Sequence, residues 1–107
     1  MADTLKVVGQ SNPLAATLTD LYTVPASTNF AGAVFISNRS AVLTTFRIAV
    51  APAGAADALQ HYIAYDVSID GNETASFTGL ALTATDKIRV YATLATLSFT
   101  ATGVEVT

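Results

Sequence analysis

Apolar residues recur along this chain at every second position, separated by Thr, Ser, Lys and Arg, which is the spacing of strands with one buried face. Over residues 43–50, Phe46, Ile48 and Val50 point one way while Thr45, Arg47 and Ala49 point the other. Residues 86–93 repeat the pattern, with Ile88, Val90 and Ala92 alternating with Lys87, Arg89 and Tyr91. Over residues 61–69 the odd positions Ile63, Tyr65, Val67 and Ile69 form the expected inward set, leaving Tyr62, Ala64 and Asp66 outside. Parity changes twice, each time at a glycine, the mark of a β-bulge that adds one residue and re-aims the strand. Ala75 and Phe77 pass to Leu80 and Leu82 across Gly79, and Leu97, Phe99 and Ala101 pass to Val104 and Val106 across Gly103. Phe35, Phe46, Tyr65, Phe77 and Phe99 all fall on positions that suit a core.

Turn signals separate these runs: Asn12-Pro13, Pro25 to Asn29, Asn38-Arg39-Ser40, Pro52-Ala53-Gly54 and Asp70-Gly71-Asn72. Asp70-Gly71 reads as a hairpin turn in which both residues tolerate positive φ. Residues 51–60 are alanine-rich, but Pro52 and Gly54 argue for a loop with at most one helical turn. The expectation is an all-β chain, a single small β-sandwich of about eight antiparallel strands. Jelly-roll-like and immunoglobulin-like arrangements both remain open, because they share the same period and turn spacing. Residues 1–12 read as an N-terminal arm or edge strand, and residues 13–107 as the sandwich domain.

Composition adds a reason to expect subunit contacts. Alanine and threonine supply 20 and 16 of the 107 residues, while only 12% are charged, about half the usual share of roughly 25%. With a mean hydropathy of +0.48, part of what would be surface on a monomer is expected to be covered by another subunit or a larger assembly. The five basic residues are scattered and the net charge is −3, which repels a phosphate backbone, so nucleic-acid binding is not expected. No apolar run approaches the roughly 18 residues that span a bilayer, and the first residues lack the cationic and apolar regions of a cleaved leader. A membrane role is therefore not expected.

Catalytic chemistry finds little footing. His61 is the one histidine and there is no cysteine, which rules out two-histidine or cysteine metal sites within one chain. No G-x-S-x-G elbow marks a serine as a nucleophile. Residues 66–71 open like a calcium loop with Asp66, Ser68, Asp70 and Gly71, but Phe77 stands where the closing acid belongs. No cofactor is expected, and the chain reads as non-enzymatic. The candidate subunit or capsid contacts are Leu5, Val7 and Val8 in an arm able to pair with a neighbour's sheet edge, and the continuous apolar run Val34, Phe35 and Ile36, expected to be covered on both faces or to meet a partner. Tyr62 and Tyr91 join them, being on the outer parity beside small or polar neighbours.

Several segments carry a resemblance in their order and spacing: Leu21-Tyr22-Thr23-Val24-Pro25-Ala26, Phe35 to Ser40, Thr45 to Val50 and His61 to Asp66. With Asp86 to Ala92 and the ending from Leu97 through Glu105, the chain resembles a family of small tailed-bacteriophage virion structural proteins over residues 21–107. The resemblance implies a β-sandwich virion component that decorates the head as a cement protein or belongs to the tail. On that basis the chain is expected to bind the major capsid protein or another virion protein as a homo-oligomer, with a trimer favoured. Its expected place is the virion, assembled in the host bacterial cytoplasm. A tail, collar or fibre module and a carbohydrate- or receptor-binding module are the alternatives.

Overall fold

A computed structural model describes residues 2–107. Eight strands form two four-stranded antiparallel sheets: β1 (Asp3–Ser11), β2 (Thr19–Thr23), β3 (Asn29–Asn38), β4 (Thr44–Ala51), β5 (Tyr62–Ile69), β6 (Thr74–Leu82), β7 (Lys87–Ala92) and β8 (Leu97–Val106). Sheet A has the order β1-β8-β3-β6 and sheet B the order β2-β7-β4-β5. The first half of the chain pairs with the second as a folded ribbon: β1 with β8, β2 with β7, β3 with β6 and β4 with β5. Rolling that ribbon brings β3 onto β8 and β4 onto β7, which closes the two sheets. This is jelly-roll connectivity, and it decides between the two sandwich types that strand periodicity leaves open. Residues 51–60 hold two single 3₁₀ turns, Pro52–Gly54 and Leu59–His61.

The core lies between the sheets. Phe46, Phe99, Ile36, Ile48, Ile88, Val34 and Val90 are fully enclosed, and Phe46 meets Phe77 and Phe99 edge-to-face at centroid separations of 5.9 and 6.4 Å. The buried Asn38 ties the loops at one end. Its Nδ2 donates to the carbonyls of Val42 at 2.9 Å and Asp70 at 3.2 Å, while its Oδ1 accepts from the Ser40 amide at 3.1 Å. At the other end Glu105, 7% exposed, accepts a hydrogen bond from the Tyr22 hydroxyl and an ion pair from Lys6 at 2.7 Å.

Register shows where bulges fall. At Gly79 the expectation holds: three residues of β3, Gly32 to Val34, span four of β6, Phe77 to Leu80. Gly79 has φ +75° and open space around it, so a methyl group there meets only backbone strain. Gly79→Ala is expected to cost about 1–2 kcal/mol, read as a lower urea midpoint at unchanged slope.

At Gly103 there is no bulge. Strand β8 stays in unbroken register with β3 from Leu97 to Val106, so Glu105 points inward and Val104 and Val106 outward. Hydrophobicity misreads the parity here because Glu105 is neutralised by partners from distant strands. In β5 the expected inward set holds only at Ile69, which is buried. One extra residue falls between Ala64 and Val67 and another between Tyr62 and Ala64, so Ala64 turns inward while Ile63 and Tyr65, 45% and 50% exposed, turn out. Asp66 sits in the first of these bulges at φ +52°, a conformation aspartate tolerates better than most residues. Asp70-Gly71 is not a hairpin turn, because β5 and β6 lie in opposite sheets. It is a crossover in which Asn72, not Asp70, takes positive φ, and in which the Asn72 amide donates to the Ser40 carbonyl at 2.9 Å.

Candidate functional site

The two outer faces of the sandwich differ in chemistry. On sheet B, Asp20 pairs with Lys87 at 2.9 Å and Arg89 at 3.2 Å, and Arg47 pairs with Asp66 at 2.7 Å. The hydrogen bond from Lys87 holds the Asp20 carboxyl below its ordinary value, against the opposing effect of its partial burial. Arg47 rises between two aromatic rings, with its guanidinium carbon 4.2 Å from the Tyr65 centroid and 4.4 Å from that of Tyr91. Tyr62 meets Tyr65 edge-on at 5.1 Å. Burial, then the nearby Asp57 carboxylate, raises the Tyr62 phenol above its ordinary value. The result is a fixed cationic and aromatic cluster on a half-exposed face, because the Asp66 carboxylate holds the arginine by two hydrogen bonds.

Sheet A presents the opposite character. Antiparallel partners share a face, so register and alternating burial assign each side chain to one side. The outward positions of β1, β8, β3 and β6 are Leu, Val, Ala, Phe, Ser, Thr, Asn and Gln, with Asp3 at the start of β1 as the single charge. Lys6 and Glu105, the other charges of these strands, turn to the inner side and pair with each other. Leu5, Val7 and Phe35 stand out from this face at 79%, 55% and 42% exposure. Near one end of it an open depression of about 480 Å³ is lined by Asn29, Ala31, Ala81, Thr83 and Val106, with Phe30, Leu82 and Asp86 completing the wall.

Five of the eight candidate contact residues therefore lie on outer faces: Leu5, Val7 and Phe35 on sheet A, Tyr62 and Tyr91 on sheet B. The other three do not. Val34 and Ile36 are fully buried between the sheets and cannot touch a partner, and Val8 is the bulge residue of β1, packed against the core. Residues 3–11 are an edge strand paired along their length with β8. Phe35 and Tyr65, both expected in the core, are surface residues. The β5 bulges hide the outward parity of Tyr65 from the sequence, whereas Arg47 is read on the outer side of β4 and only its placement between Tyr65 and Tyr91 is hidden; the one local signal is the acidic Asp66 within the alternation. Among the described residues no three His, Asp or Glu side chains come together as a metal cluster, and no helix is long and apolar enough to cross a membrane. Compared with protein-family models, curated proteins and solved structures, the chain finds no match.

Proposed function

We propose that this chain is a non-enzymatic structural protein of a tailed-phage virion, a capsid decoration protein that binds the assembled head as a homo-oligomer and stabilises it. The observation that carries the reading is the division of the surface into one nearly charge-free sheet face and one charged aromatic face. A decoration protein makes two kinds of contact, with its own copies and with the shell. A nearly charge-free face rich in Ala, Thr and Val suits close packing of like subunits, while arginine and tyrosine are among the residues that most often anchor a heterologous contact. Jelly rolls occur in viral capsid proteins and also in lectins and cupins, so the fold is compatible with this role without selecting it. Binding only to the assembled form would stabilise the shell by mass action.

The test is co-sedimentation of the purified chain with heads of the phage that encodes it, and separately with dissociated capsid subunits. Binding to heads alone, with a higher temperature of head disruption, is the expected result. No binding to heads, or binding to isolated tails, overturns the decoration reading.

The Tyr62, Tyr65, Arg47 and Tyr91 cluster also favours a second reading, a carbohydrate- or receptor-binding module that uses exposed rings against sugar faces. Loss of glycan binding in Tyr91→Ala with the oligomer intact would support it over decoration.

A further inference from the structure

We propose that two copies of this chain pair face to face through the outer side of sheet A, the Phe35 ring of each entering the depression beside Ala31 of the other. Four observations point to a second copy as the occupant. The first is electrostatic. Each copy carries a net charge of −3, so self-association needs a face poor in acidic groups; the outward side chains of the sheet A strands include one charge only, Asp3 at the margin, and Asp86 in the wall of the depression is engaged by the backbone amides of Ala53 and Thr83.

The second is shape. Phe35 projects outward from β3 at 42% exposure, and the depression lined by Ala31, Ala81 and Val106 opens on the same face near the other end of that strand. Phe35 and Ala31 are four residues apart, about 13 Å along a strand. A two-fold axis lying between the faces and crossing β3 at Ala33 sets each ring over the other copy's depression. Both contacts then form together, as an isologous interface requires. The third is relief. Ala33, at the axis, and its partner Thr102 on β8 are small, which permits sheets to approach at about 10 Å.

The fourth is area. Four strands spaced about 4.8 Å apart and some nine residues long give a face of roughly 600 Å² in projection, or about 1,200 Å² for the pair, above the roughly 1,000 Å² expected of a specific interface. A face matched to itself closes at two copies, so this pair takes the place of the trimer that the phage resemblance favours. It leaves the Arg47 and Tyr91 faces of both copies turned outward, and it stands whether or not those faces bind a capsid.

Light scattering and sedimentation equilibrium between 1 and 300 µM test it. The expected result is a particle of twice the 11.0 kDa chain mass. Phe35→Lys, on a side chain already exposed, is expected to weaken the pair at least 100-fold with the far-ultraviolet spectrum unchanged. Ala81→Lys, at the rim of the depression, is expected to do the same and is the second variant should the first fail to fold. Thr93→Lys on the sheet B side is expected to leave the pair intact. A monomer or trimer across the whole range overturns the inference, as does a dimer that survives both sheet A substitutions. Head binding is a separate readout, so failure here is distinguishable from failure of the decoration reading.

Discussion

Phe46→Ala is expected to lower the stability of the folded chain by about 3–5 kcal/mol, the cost of a large aromatic lost from a closed core. Phe46 is fully buried at the centre of β4 and joins both sheets through its edge-to-face contacts with Phe77 and Phe99. A domain of this size holds roughly 5–15 kcal/mol in total, so the variant should be largely unfolded in moderate urea. The matched comparison is between two isoleucines that strand alternation treats alike. Ile48 is fully enclosed, and Ile48→Ala should cost about 2–5 kcal/mol. Ile63 is 45% exposed after the β5 bulge, so Ile63→Ala should cost under about 1 kcal/mol. Urea midpoints at fixed protein concentration decide the matter, and equal losses at the two positions would refute the bulged register.

Tyr22→Phe is expected to be the largest single polar effect. The Tyr22 hydroxyl and Lys6 are the two groups that compensate the Glu105 carboxylate, at the end of the sandwich opposite Asn38. A hydrogen bond to a charged group contributes roughly 1.5–3 kcal/mol, and removing the donor leaves the carboxylate short of a partner. Tyr22 also meets Phe30 edge-to-face at 5.0 Å, a contact that phenylalanine preserves, so the loss reports the hydroxyl. The same lock gives a pH dependence. Lys6, then Tyr22, hold the Glu105 carboxyl below its ordinary value of 4.5. A carboxylate whose folded pKa is depressed stabilises the fold above its unfolded value and loses that contribution as pH falls through the folded value. Stability should therefore drop on acidification below about pH 4.5, with Asp20, also held low, acting in the same direction. In Glu105→Gln the drop should be shallower, and variant and wild type should converge as pH falls. Identical pH profiles for the two proteins would show that Glu105 does not take part.

Much of the fold is legible in the residues. The alternations in β4 and β7, the bulge at Gly79 and the short turns in residues 51–60 all follow from local chemistry, and the structure has them. The same reasoning errs at β8 and β5 for identifiable causes. Glu105 is drawn inward by Tyr22, 83 positions away, and by Lys6 from the opposite terminus. Asp66 absorbs a bulge with no glycine to announce it, and Tyr65 reaches the surface as a result. The candidate face on sheet B was half visible: Tyr62 and Tyr91 lie on it, but their link runs through Arg47 and Tyr65, which only the pairing of β4 with β5 and β7 brings together.

By itself the sequence determined that this chain is all-β, that its strands have one apolar and one polar side, and that its charge is too sparse to dress a full surface. Each of these is carried by spacing or composition within a few residues. Tertiary structure alone decided the jelly-roll order, the gathering of charges on sheet B, and the exposure of Phe35 on the same nearly charge-free face as a depression. Those depend on which strands pair and in what register, and a contact between residues 30 or 100 positions apart leaves no trace in a local period.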